Sequence, residues 1–254
     1  MIPKIIHLCW LSGDPYPEKI KYCIDSWKKN IPDYEVILWD TSRFDVNSTP
    51  WTKQAFEAKK YAFVADYIRL YAVYNYGGIY LDSDVEVIRS FDDLLNLPYF
   101  IGTEAYLTRI ELAAFGAEKG TAWVKEAMNY YEGRNFIMED GEMDVRPMPM
   151  VLLPFLEQKY SFKPIESISE FDPDSSRICI FPMDWFNAHP MDEQEKLYYK
   201  VTRNTHCIHH FANAWTPDAY IGGPLHKLYY KITGINWKLS DRRFKLYGKY
   251  KNKK

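Results

Sequence analysis

Two acids one residue apart, Asp82 and Asp84, follow the apolar run Ile79-Tyr80-Leu81, which in turn follows the pair Gly77-Gly78. In an extended segment, side chains two apart face the same way, so these carboxylates are expected to converge on one point. Convergence of two anions costs energy unless a cation or a bound ligand sits between them. Hard divalent cations such as Mn2+ or Mg2+ take such oxygen ligands and accept a diphosphate beside them. Asp-x-Asp alone is common in solvated turns. Its position at the end of a buried strand makes this one a candidate metal site.

Asp66 and Arg69 lie three apart in an otherwise apolar stretch, and so share one face of a helix. Charges on so apolar a helix need partners. They could meet a sugar donor, Asp66 at its hydroxyls and Arg69 at its sugar or phosphate, or form a local salt bridge. Late in the chain, His209-His210 is followed by Trp215. In a strand, neighbouring residues face opposite sides, so only one of the two histidines is expected to reach a metal. A packed pair beside a core Trp is the alternative. His7, alone in an apolar strand, reads as structural.

The elements that must hold these residues are legible. Lys4–Trp10 reads as a buried strand, Pro17 opens a helix with apolar positions Ile20, Cys23, Ile24 and Trp27, and Tyr34–Trp39 reads as a second strand. Strand, helix, strand in some forty residues indicates a βαβ unit and a parallel sheet, whose nucleotide sites lie at the strands' carboxyl ends. A helix is predicted over Tyr61–Tyr76, stopped by the glycine pair. Strands follow at 79–81, 85–88, 99–103 and 112–115, a helix at 121–131, and strands at 177–181 and 206–211. The polar, Met-rich stretch 134–149 is expected to be a mobile loop.

Composition is that of a globular α/β chain: 254 residues, 47% hydrophobic, 26% charged. Aromatic residues reach 17%, which fits either a sugar- or base-stacking site or simply an aromatic core. The four cysteines show no metal or disulfide spacing and are expected to be buried thiols. No apolar run reaches the roughly 18 residues of a membrane span, and no signal peptide opens the chain. A cytoplasmic setting is the resulting expectation. Residues 236–254 carry eight Lys or Arg against one acid, interleaved with Phe244, Tyr247 and Tyr250. This tail could contact the inner face of an anionic membrane or form a solvated terminal helix. The rest of the chain is acidic, which argues against nucleic acid as a partner.

Taken together, Ile6-His7-x-x-Trp10, Ala65-Asp66-x-x-Arg69 and Tyr76-Gly77-Gly78-Ile79-Tyr80-Leu81-Asp82-x-Asp84 resemble the sugar-binding DXD region of glycosyltransferase family 32. That family includes yeast mannosyltransferases and bacterial capsule and lipopolysaccharide transferases. The region is also similar to the glucosyltransferase domains of clostridial toxins. The resemblance is dense over residues 1–90, with one later island at Ile208–Trp215.

The resemblance implies a GT-A fold, an α/β Rossmann-like mixed sheet flanked by helices. A domain over 1–222 and a small helical, basic C-terminal extension over 223–254 are expected. It implies a retaining, Mn2+- or Mg2+-dependent hexosyltransferase that uses a nucleotide-sugar, UDP-hexose first and GDP-mannose second. The expected acceptor is a glycan or lipid-linked glycan in surface polysaccharide synthesis. By position, Trp10 would pack on the nucleotide base and Asp66 and Arg69 would bind the donor sugar. Asp82 would lie near ribose and sugar, and Asp84 would ligate the metal. Leu8, Tyr76, Gly78 and Ser83, within the same motifs, are carried to the donor. Trp215 would cover it. His210 is preferred to His209 as metal ligand because its five-residue spacing to Trp215 matches related folds, and Asn213 is a weaker ligand candidate. Asp66, Arg69 and Asp82 form the expected catalytic set. Glu104 is a guess for a carboxylate beneath the anomeric carbon, and front-side attack needs none. A protein acceptor, a binding module without turnover and a two-metal phosphoesterase remain alternatives.

Overall fold

The computed structural model describes residues 1–104, 109–188 and 201–210, all within one compact unit, Met1–Phe211. The predicted boundary at 222/223, the extension 223–254, Asn213 and Trp215 lie outside the described residues.

The chain opens with β1 (Ile5–Cys9), α1 (Glu18–Asn30) and β2 (Glu35–Trp39), and β1 pairs with β2 in parallel as the βαβ reading requires. After α2 (Pro50–Glu57) and α3 (Tyr61–Tyr76) come β3 (Gly78–Leu81) and β4 (Val85–Val87), then β5 (Tyr99–Glu104) and β6 (Arg109–Ala117). The main sheet has the order β2-β1-β3-β6-β5, and only β6 runs against the others. This is a mixed α/β sheet flanked by helices. The remaining elements are α4 (Ala122–Asn129), α5 (Met148–Leu156), β7 (Ser161–Pro164), β8 (Arg177–Ile180), α6 (Met183–Phe186) and β9 (Cys207–His209).

Alternation along β1 and β3 divides the core. Ile6, Leu8, Ile79 and Leu81 join one cluster with Trp27 of α1 and with Trp185 and Phe186 of α6. His7 and Tyr80 point to the other face, where α3 packs. His7 is fully buried, its ring bridging the Gly77 carbonyl (2.7 Å) and the Trp39 indole N–H (3.1 Å). Burial, partly offset by the Gly77 contact, lowers its pKa to about 4, so it is a neutral structural residue, as expected. All four cysteines are free thiols, three of them buried. No helix among the described residues is long and apolar enough to cross a membrane.

α3 spans the predicted residues. It is apolar nearly all round because sheet, α2 and α4 cover it. Gly77 ends it at φ +68° and Gly78 continues at φ +107°, conformations that side-chain-bearing residues rarely adopt. β4 leaves the main sheet and pairs with β9 on one edge. Its other edge is satisfied by α1: Trp27 Nε1 donates to Val85 O (2.7 Å), Asn30 Nδ2 to Val87 O (2.8 Å), and Ser26 Oγ accepts from Val87 N (2.9 Å). Each such buried bond contributes about 1 kcal/mol, and together they fix the strand that follows Asp84.

Two sequence expectations need correction. The stretch 134–149 is tied down rather than free: Phe136 is fully buried, Ile137 bridges Met143, and the end of the stretch opens α5. Asp82–Asp84 is not extended but a turn, with Val85 N donating to Asp82 O (3.0 Å). The two carboxylates converge through that turn, not through the pleat.

Candidate active site

β3 ends at Leu81, beside the carboxyl end of β1, and the turn places Asp82, Ser83 and Asp84 beyond that edge. Three side chains converge there. One ligand atom each from Asp82, Asp84 and His209 lie within 4.8 Å of one another. The β4–β9 ladder pairs Val85 with His209, which sets His209 Nε2 3.5 Å from Asp84 Oδ1. His210 turns to the opposite face, where Nε2 lies 2.8 Å from Glu86 Oε2. The five-residue spacing to Trp215 favoured His210, but it is His209 that faces the acids, and strand alternation turns His210 towards Glu86.

Behind the acids lies the α3 pair. Arg69 Nη2 is 3.1 Å from Asp66 Oδ1 and 3.2 Å from Asp82 Oδ1, and Nη1 donates to Leu112 O (2.8 Å). The guanidinium also sits over the Tyr80 ring, 4.6 Å from its centroid, and the Tyr80 hydroxyl donates to Asp82 Oδ1 (2.6 Å). The local salt bridge is formed, and Arg69 also joins Asp66 to Asp82. Three consecutive residues of β6 back the cluster. Glu111 faces His209, Leu112 O holds Arg69, and Ala113 O accepts from Asp82 N (2.8 Å).

Burial raises the Asp66 pKa to about 7, with Arg69 pulling it down and Asp82 pushing it up. Burial likewise raises Asp82, against the pull of Arg69. For His209 burial alone would lower the pKa, but the Asp84 and Glu111 carboxylates outweigh it and hold the ring well above its ordinary value. The cluster sets four carboxylates, Asp66, Asp82, Asp84 and Glu111, against one guanidinium and one imidazole. Two carboxylates and an imidazole form a donor set that fits a divalent cation, and the nitrogen ligand suits Mn2+ better than the all-oxygen preference of Mg2+.

Residues 17–101 match the profile of the glycosyltransferase sugar-binding region containing the DXD motif. The match is confined to that segment of the chain. Inositol phosphoceramide mannosyltransferase 3 of Schizosaccharomyces pombe is 41% identical over 108 residues, which is 39% of this chain and 29% of that protein. Mannosyl phosphorylinositol ceramide synthase CSH1 of Saccharomyces cerevisiae is 36% identical over 108 residues, 40% of this chain and 28% of that one. The chain therefore spans less than a third of the length of either relative. A solved structure of the PaToxG glycosyltransferase aligns with a TM-score of 0.48 at 25% identity, over 62% of this chain and 68% of that one.

Within the sugar-binding region the structure brings Asp66, Arg69, Asp82, Ser83 and Asp84 to one place. Just outside it, Trp10 lies past the end of β1. Its indole N–H donates to Asp14 O (2.7 Å) and its ring meets Tyr16 edge-on at 4.8 Å. Three residues carried over to the donor lie elsewhere. The Leu8 side chain is buried in the α1-side core. Gly78 begins β3, roughly 13 Å along the strand from Asp82 at about 3.3 Å per residue. Tyr76 ends α3 and packs on Trp39 and His7. Glu104 closes β5 opposite Arg109, whereas the acid that β6 delivers is Glu111. Glu111 was legible as a lone acid in the apolar run Ile110–Phe115, but the predicted strand began at Leu112, just past it, whereas β6 begins at Arg109.

Proposed function

We propose that this chain is a divalent-metal-dependent hexosyltransferase that takes its sugar from a nucleotide-diphosphate donor. The observation that carries this reading is the convergence of Asp82, Asp84 and His209 beside the buried Asp66–Arg69 pair. Asp82, Asp84 and His209 would hold the cation, whose chemistry is to neutralise charge on the donor's diphosphate. Arg69, fixed by two carboxylates, a carbonyl and a ring, adds preorganised positive charge where the leaving group forms. Asp66, with a pKa of about 7, is able both to accept from and to donate to sugar hydroxyls near neutrality, and so orients the ring.

The proposed reaction is retaining with front-side attack. The bond from the anomeric carbon to the diphosphate oxygen breaks, the acceptor oxygen bonds to the same face of that carbon, and the acceptor's proton passes to the departing diphosphate. The acceptor is proposed to be a glycan or lipid-linked glycan, approached from the inner membrane face with the basic tail in contact. The mannosyl group in the relatives' names moves GDP-mannose, the second donor expected from the sequence, to the head of the panel beside UDP-hexoses, and their inositol phosphoceramide adds an inositol-phosphate headgroup to the acceptor panel.

The test is a melting-temperature and donor-hydrolysis screen across nucleotide-sugars, with and without Mn2+. One donor is expected to raise the melting temperature together with Mn2+ and to be hydrolysed slowly. Asp84→Asn should abolish both responses. Synergistic stabilisation with no hydrolysis and no transfer would instead indicate a binding module, and no response to any donor would overturn the reading.

A further inference from the structure

Glu111 is an acid with no role in any motif read from the sequence. It lies on β6, 2% exposed, between Ile110 and Leu112, which are also buried. Its Oε1 accepts the Ala113 backbone N–H at 2.7 Å, which fixes the side-chain rotamer. The same oxygen lies 3.8 Å from His209 Nδ1, while His209 Nε2 lies 3.5 Å from Asp84. The two ring nitrogens of one histidine thus face two different carboxylates. Glu111 Oε2 is buried with no hydrogen-bond partner among the described residues. A buried carboxylate oxygen left in that state carries a desolvation cost with no return from the fold alone.

We propose that Glu111 is a positioning residue for the cation site: its carboxylate accepts the Nδ1 proton of His209 and thereby presents Nε2, with its lone pair, to the point between Asp82 and Asp84. Metal-ligating histidines commonly give their second N–H to a carboxylate, which fixes tautomer and ring orientation and raises the ligand's basicity. The present 3.8 Å is beyond hydrogen-bond length, and the pair must close by about 1 Å when the site is loaded. The closing motion falls to the ring, because the Ala113 contact holds Glu111 in place. β6 then does for the metal site what it does for the rest of the cluster. Glu111 sets His209, Leu112 O sets Arg69, and Ala113 O sets the Asp82 backbone.

This inference rests on the metal-site reading above, and the experiment separates the two. Free Mn2+ is measured by electron paramagnetic resonance during titration of the wild type, Asp84→Asn, Glu111→Gln, His209→Ala and the double variant Glu111→Gln/His209→Ala. Glu111→Gln is expected to weaken Mn2+ binding by about 10- to 100-fold. In the His209→Ala background the same change should add nothing, because Glu111 acts through that ring. A purely structural role would weaken both backgrounds alike and would overturn the proposal. So would a Glu111→Gln affinity within about twofold of wild type while Asp84→Asn has lost binding. Asp84→Asn binding as tightly as wild type would sink the metal-site reading itself. If Glu111→Gln gives no cooperative melt in EDTA, Glu111→Asp replaces it. It keeps the charge on a shorter arm, so a smaller loss of affinity is expected and an unchanged affinity refutes the proposal.

Discussion

Replacing Asp66 by Asn should make the protein progressively more stable relative to the wild type as the pH rises, while crippling donor chemistry. Asp66 is 8% exposed, and its pKa is raised from 3.8 to about 7, chiefly by burial and only partly countered by Arg69. Because the folded-state value lies above the unfolded one, the group's contribution to stability is whole below about pH 3.8 and is lost as the pH climbs through about 7. The full span is worth about 4 kcal/mol at 1.36 kcal/mol per pH unit. From about pH 5 to about pH 8.5 the wild type should lose roughly 3 kcal/mol through this group alone. Asn is a neutral near-isostere and does not titrate. The stability difference between the Asn variant and the wild type should therefore shift by that amount in the variant's favour over the same range. Other titrating groups largely cancel in the difference. For a chain of this size the shift corresponds to about 5–10 °C in relative melting temperature. The assay is urea or thermal unfolding of both proteins at several pH values without donor. A difference that stays constant across the range would refute the argument that burial holds the Asp66 carboxyl well above its ordinary value.

Other outcomes follow from the same geometry. His209→Ala should weaken Mn2+ binding at least tenfold, whereas His210→Ala, whose ring faces Glu86 and Tyr22 rather than the acids, should leave it within about twofold. Equal effects in a Mn2+ titration would contradict the strand assignment. Gly78→Ala should destabilise the fold by about 2–4 kcal/mol, through both the positive φ and a methyl 2.8 Å from Ile5 O. A denaturant midpoint matching wild type would count against that backbone. Tyr80→Phe should cost about 1 kcal/mol through the lost bond to Asp82, and should lower donor turnover more than stability. A variant with full turnover would remove Tyr80 from the account of how Asp82 is held.

Much of the fold was legible because its signals are local. Tyr61–Tyr76 was recognisable from an apolar helical run closed by two glycines, and the backbone at Gly77 and Gly78 shows why no other residue type serves there. β1, α1 and β2 followed from apolar spacing, and their parallel pairing followed from the short crossover. α2 was missed, although Thr49-Pro50 is a helix start: Thr49 accepts from Thr52 N at 3.1 Å, and Pro50 sits at the first helical position. The stretch 134–149 misled because its polar residues masked Phe136, a single aromatic anchor packed against Trp51 and Phe63.

The site divides along the same line. By itself the sequence determined that Arg69 stands with Asp66, since a spacing of three is governed by helix geometry, and it named the two converging acids although it assigned their convergence to a pleat rather than to the turn that produces it. Tertiary structure alone decided between His209 and His210 and recruited Glu111. That choice depends on the register of β9 against β4, strands more than 100 residues apart. The register is set by burying Val85, Val87 and Cys207 on one face, and a slip of one residue would exchange the two histidines. No local pattern around residue 209 encodes that burial, because the partners that impose it lie on α1, β4 and β6.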